Sequence, residues 1–233
     1  MPSQFEITYR FHLSEGAPVE CTVSLDPRTM RIQTPLPATL PAWTALGYER
    51  CPNCTLDSDE HPCCPTAAHI VAPIKLFSQI PSFAQARVEC VTAERTSFKD
   101  CTVAEGLSSL YGIYMTGSGC PVLKVLRPLV RYHMPFATRD ETVYRAASLW
   151  LLGQYLREFN ENETIDFSLR KLSAHYREIG EVNAAFARRI QSAVALDASL
   201  NAIVQLDYFA QSSTNFIENG LKDLRAMFSA WHD

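Results

Sequence analysis

The chain has no hydrophobic run long enough to cross a bilayer. Its most apolar stretch, AASLWLLGQYL (146–156), falls short of the roughly 20 residues a spanning helix needs, and it carries Gln154. The opening MPSQFEITYRFHL lacks a basic region followed by a small-residue cleavage site, which argues against a secretory signal. Positive charge is not in excess either. The formal net charge is −4, so the global field gives no reason to expect nonspecific nucleic-acid binding, although a local basic patch stays open. P-loop, GxSxG and HExxH motifs are missing, and GSG at 117–119 lacks the third glycine of a dinucleotide fingerprint. Internal repeats and low-complexity tracts are missing too. These absences point to a cytoplasmic protein without a membrane partner, and they supply no catalytic motif.

What is present is a composition able to build a core. Of 233 residues, 47% are hydrophobic and 20% charged, enough for one large domain or two small ones. The first part has the period of strands: QFEITYRFHL and VECTVSLD flank the turn residues SEGAP, MRIQT reads as a further short strand, and ARVECVTAERTSFKDCTV returns to strand character. TAAHIVAPIKLFSQI (66–80) is apolar enough for a helix against that sheet, bent at Pro73. From Thr102 the period becomes helical. Thr102 with Glu105, and Thr138 with Glu141, have capping-box spacing. Leu172, Tyr176, Ile179, Phe186 and Ile190 form a seam that Asn183 interrupts; Ile217, Leu221, Leu224, Phe228 and Trp231 form another on the last helix. The expected fold is therefore α+β. A small antiparallel sheet with one helix spans 1–101 and carries a cysteine loop at 51–64; a helical bundle spans 102–233, the two forming one compact unit.

The chemistry concentrates in the cysteines. Cys21 and Cys90 share the apolar faces of alternating strands and read as small buried hydrophobes; Cys101, at a strand-to-helix junction, is undecided. In GYERCPNCTLDSDEHPCCP (47–65), Cys51 and Cys54 have the Cys-x-x-Cys spacing that brings two thiolates onto one ion. Cys63 and Cys64 compete for a third place, because neighbouring side chains diverge on an extended backbone. A fourth ligand comes from Cys120 in MTGSGCPVL, read as the N-cap of a helix beginning at Pro121, or from His61, His69 or Cys63 within the region of the loop. Zinc is the leading metal for such a set, and an iron–sulfur cluster such as [4Fe–4S] is the alternative, because prolines follow several of these cysteines. Helical spacing would line Lys124, Arg127 and Arg131 below Cys120, with His133 nearby, as a face for an anion or a partner, or as a solvated face. A thiol enzyme using Cys120 with His133 is a further alternative. His175 and Glu178 alone are a weak metal pair.

The residues YRFH (9–12), PAWTALGYERCPNC (41–54), CP (64–65), GLSSLYGIYMTGSGCPVL (106–123) and RYHMPFAT (131–138) resemble an uncharacterised bacterial family, a domain of unknown function of about this length. The resemblance implies that Cys51, Cys54, Cys64 and Cys120 belong to the shared pattern and that Cys63 is extra. It implies no activity. The expectation is a metal-binding protein with a regulatory or binding role, its partner a protein or a small anion.

Overall fold

A computed structural model of the chain describes residues 4–161, 167–192, 197–219 and 221–231. The alternation of apolar residues produces four strands. In β1 (Phe5–Leu13) the side chains of Phe5, Ile7, Tyr9 and Phe11 are buried on one face. β2 (Val19–Leu25) pairs with it antiparallel, setting Phe5 opposite Leu25 and Phe11 opposite Val19. β3 (Gln85–Val91) takes the other side of β1, and β4 (Thr96–Thr102) completes the sheet in the order β2-β1-β3-β4. A one-residue slip would turn every one of these apolar side chains to the outside, so the pattern fixes the register.

The strand expected at MRIQT does not form; only an isolated bridge joins Leu25 to Ile32. The cause is local. The Asp26 carboxylate accepts the backbone N–H groups of Arg28 (3.0 Å) and Thr29 (2.7 Å), and Met30 takes φ 54°. The turn closed by aspartate runs up to Met30, whose left-handed backbone angle breaks the extended conformation a strand needs.

The connection from β2 to β3 holds the cysteine loop and α1 (Pro65–Leu76), with Pro73 inside that helix. The helical part contains α2 (Val103–Gly117), a short α3 (Arg127–Arg131), α4 (Arg139–Glu161), α5 (Arg170–Gln191) and α6 (Ala198–Glu218). Both capping boxes are built. The Thr102 and Thr138 amides donate to Glu105 and Glu141 at 3.0 and 2.7 Å, and the Glu105 and Glu141 amides donate back to the threonine hydroxyls. The last seam is broken rather than continuous. α6 ends at Glu218, Leu221 adopts φ 53°, and Lys222–Trp231 runs as a 3₁₀ segment. A left-handed leucine cannot continue an α-helix, and beyond it Phe228 is exposed while Ile217 and Leu224 are buried. The Trp231 side chain lies outside the described residues. The fold is α+β. Among the described residues no helix is long and apolar enough to cross a membrane.

α2 joins the two parts. It lies on the inner face of the sheet, and a single buried cluster runs from Ile7 and Val23 through Leu107 and Tyr111 to Phe186 and Ile203. Its glycines do two different jobs. A Cβ on Gly106 would stand 2.6 Å from Phe11 Cε1 and 2.8 Å from Val88 Cγ2, so this turn of helix touches the sheet only because the side chain is missing. Gly106→Ala is expected to destabilise the protein by about 1–3 kcal/mol, the usual cost of overpacking. A Cβ on Gly112 would meet only Leu206 Cδ2, at 3.9 Å. Gly112→Ala should therefore stabilise by about 0.5–1 kcal/mol through helix propensity alone. Urea unfolding of the two variants checks the opposite signs.

Candidate functional site

The cysteine loop is tied at its base and along its length. Ala45 bridges Cys63, the Cys64 amide donates to Thr44 O (2.8 Å), and the Leu46 amide donates to Pro62 O (3.0 Å). The Cys54 amide donates to Cys51 O at 3.1 Å, so Cys-Pro-Asn-Cys is a closed turn. Arg50 reaches over the loop to the carbonyls of Cys54 (3.3 Å) and Leu56 (2.7 Å). The loop and its base are tied to α5: Asn53 Nδ2 donates to Glu178 O (3.0 Å), Arg188 Nε donates to Glu49 (3.3 Å), and Arg189 Nη1 donates to Trp43 O (2.6 Å) and Ala45 O (2.8 Å).

Cys64 caps α1, with Pro65 in the first turn, and Cys120 follows α2. Those two helix ends meet. Thr66 and Ser118 share a hydrogen bond of 2.9 Å between hydroxyls, and Gly119, at φ +106°, passes so close that a Cβ there would lie 4.0 Å from Pro65 Cβ and 3.1 Å from Arg31 Nη2. Only glycine takes that backbone angle without strain. The segment after Cys120 is not one helix. Leu123–Leu126 is 3₁₀, and α3 begins only at Arg127, where Pro128 occupies the first turn, as a proline without an N–H can.

As a result Cys51, Cys54, Cys64 and Cys120 lie within one another's electrostatic reach. Burial pushes the Cys51 thiol up to about 12, and the neighbouring Cys64, Cys120 and Cys54 add to the rise. Burial also raises Cys64, against the pull of the Ala67 and Thr66 amides and of Arg189. Cys120 is raised by burial, with the Leu123 and Val122 amides opposing it and Cys64 and Cys54 reinforcing it. Cys63 is not among these neighbours; its sulfur accepts from the Thr44 hydroxyl at 3.8 Å. Among the described residues no three His, Cys, Asp or Glu side chains stand close enough together to hold a metal ion as they are.

The remaining candidates are dispersed. His61 is exposed, and His69 is lowered by burial and by Arg31. The basic stripe is not one face. Lys124 is exposed; Arg127, with a buried Nε that has no partner among the described residues, lies near Arg31 and Cys120; Arg131 covers the Phe5 ring at 4.5 Å and pairs with Glu94 at 3.9 Å. His133 belongs to the bundle, its Nε2 2.6 Å from the Tyr9 hydroxyl, which also meets Ser109 Oγ at 2.7 Å. Burial beside Arg145 lowers it to about 3, so its ring is neutral. Cys120 is thus raised where a nucleophilic cysteine needs to be lowered, and His133 is engaged elsewhere. His175 pairs with Glu178 at 3.4 Å on the exposed face of α5. Arg189 is the residue the sequence did not single out. It looks like an ordinary helix cation beside Arg188, and no short-range pattern distinguishes the exposed arginine from the buried one.

The family model described as Domain of unknown function (DUF6901) matches residues 7–229. The chain belongs to this family. The match takes in most of the sheet, the cysteine loop and the helical part together, so this DUF6901 chain carries its four clustered cysteines and Arg189 within the family's span. No curated protein and no solved structure matches it.

Proposed function

We propose that the chain is a metal-binding protein in which Cys51, Cys54, Cys64 and Cys120 hold one zinc ion that clasps the loop to the end of α2. One observation carries the reading. Four thiols from three separate segments come within one another's electrostatic reach, and burial raises Cys51, Cys64 and Cys120. Four adjacent thiolates are costly without a cation, and a dication reverses that cost while releasing the thiol protons. The amides aimed at Cys64 and Cys120, and the charge of Arg189, favour the thiolate form further. A zinc ion would draw the four sulfurs to the roughly 2.3 Å Zn–S distance. On this reading the role is structural, in a binding or regulatory protein of a reducing, cytoplasmic compartment in a bacterium, with a protein or small anion as partner.

Elemental analysis of anaerobically purified protein tests it. One zinc per chain and no visible absorption are expected. Cys120→Ser should lower the zinc content severalfold, whereas Cys63→Ser should leave it at one. Equal zinc in wild type and Cys120→Ser would sink the four-ligand arrangement. A brown protein whose colour bleaches in air would replace zinc by an iron–sulfur cluster, to which amide donors at sulfur are equally suited.

A further inference from the structure

A cavity of about 250 Å³ lies between α2, the 3₁₀ segment and α3 that follow it, α4, α5 and α6, apart from the four cysteines. It is larger than the roughly 150 Å³ that suffices for benzene in an engineered apolar cavity. Leu123, Leu126, Ile179, Leu206 and Phe209 make its walls apolar. Three polar side chains on those walls are unusual. Asn183 is only 3% exposed and Tyr176 only 5%, both line the cavity, and among the described residues neither side chain has a hydrogen-bond partner. With no partner among the described residues, both polar groups are left to be satisfied by whatever fills the cavity, water or a ligand. The third is Arg145. Its Nη2 donates to Leu129 O (3.1 Å) and Tyr132 O (2.7 Å), which fixes the guanidinium, while no carboxylate lies within ion-pair distance among the described residues. The nearest acid on its own helix, Glu141, is held by Thr138.

The charges around the cavity select the ligand's sign. Glu105 is occupied by its capping box and by Lys99 at 3.5 Å, and His133 is held by Tyr9. Among the described residues Arg145 is therefore the lining charge without an ionic partner, and Tyr176 stands beside it. Tyr176 and Asn183 are seven residues apart on α5, about 10 Å along its axis, with Ile179 between them. The cavity thus has a cationic pole, an apolar middle and an amide pole. Gly112 supports this: a glycine in mid-helix is disfavoured, and here it makes no close contact, so its effect is to leave the space open.

We propose that this cavity binds a small organic carboxylate with an apolar body and a second hydrogen-bonding group at its far end. The carboxylate meets Arg145 and the Tyr176 hydroxyl, and the far group meets Asn183. The inference does not rest on the metal reading.

Calorimetric titration of the full chain with ω-hydroxyoctanoate, octanoate and n-octanol tests it. All three should bind one per chain, in that order of affinity, with n-octanol at least about tenfold weaker than octanoate because it forgoes the charge-assisted bonds. Tyr176→Phe should weaken both carboxylates about fivefold and leave n-octanol unchanged. Gly112→Leu fills the cavity from a position favourable to helix and should abolish binding of all three, with circular dichroism unchanged. Absence of binding at millimolar concentration, equal affinity for octanoate and n-octanol, or undiminished binding by folded Gly112→Leu would each overturn the proposal. Should Gly112→Leu not fold, the Tyr176→Phe comparison decides by itself.

Discussion

Arg189→Met is expected to lower stability by about 2–4 kcal/mol. The side chain is 2% exposed, and its Nη1 holds the carbonyls of Trp43 and Ala45 at the base of the cysteine loop. Hydrogen bonds from a charged donor contribute about 1.5–3 kcal/mol each, and a buried acceptor left without a partner costs about 1–3 kcal/mol. Ala45 O keeps the Tyr48 amide at 3.1 Å, which holds the total below the sum of two full losses. Methionine restores most of the apolar contact, so the loss reports the polar anchor rather than a cavity. Arg189→Lys should recover less than half, because the shorter side chain leaves its ammonium short of the place Nη1 takes between the two carbonyls. Urea denaturation measures both. A cost below about 1 kcal/mol for the methionine variant would mean that the loop is held from elsewhere.

Acidification from pH 6.5 to pH 5 should cost up to about 2 kcal/mol through His133 alone. The unfolded chain takes up the proton near 6.5, whereas in the folded protein burial and the Arg145 charge lower the ring to about 3. The folded state thus favours the neutral ring. Its contribution is complete above pH 6.5 and is lost as pH falls toward 3, at a slope approaching 1.4 kcal/mol per pH unit. Between pH 5 and 6.5 the carboxylates lowered by their hydrogen bonds, such as Glu141 and Asp197, remain ionised in both states and add little. His133→Gln removes the titration and should flatten the profile in this window, at the cost of part of the Tyr9 contact. Unfolding free energies of wild type and variant at four pH values give the difference in slope; parallel profiles would show that the ring is not held neutral.

The sheet and most of the helices could be read in advance because their causes are local. Phe5, Ile7, Tyr9 and Phe11 alternate at the period of a strand, and Thr102 with Glu105 and Thr138 with Glu141 complete their boxes within three residues. Local competition also explains the two failures: Asp26 turned the chain where a strand was expected, and Leu221 broke the last helix. Neither is visible in a count of apolar residues, since each depends on one residue's backbone angle or one side chain's choice of amide.

The candidate site divides along the same line. Sequence spacing alone determined that Cys51 and Cys54 share a turn, and the alternating strands and capped helices followed from rules that act over four residues or fewer. Only the tertiary structure decided that Cys120 lies beside Cys64, through Thr66, Ser118 and Gly119; that Arg189 is buried under the loop while Arg188 is not; that His133 faces Tyr9 rather than a cysteine; and that Asn183 and Tyr176 look into one cavity. Those are contacts between residues far apart in the chain, and which partner each side chain meets is set by how helices and sheet pack, a choice that no short stretch of sequence contains.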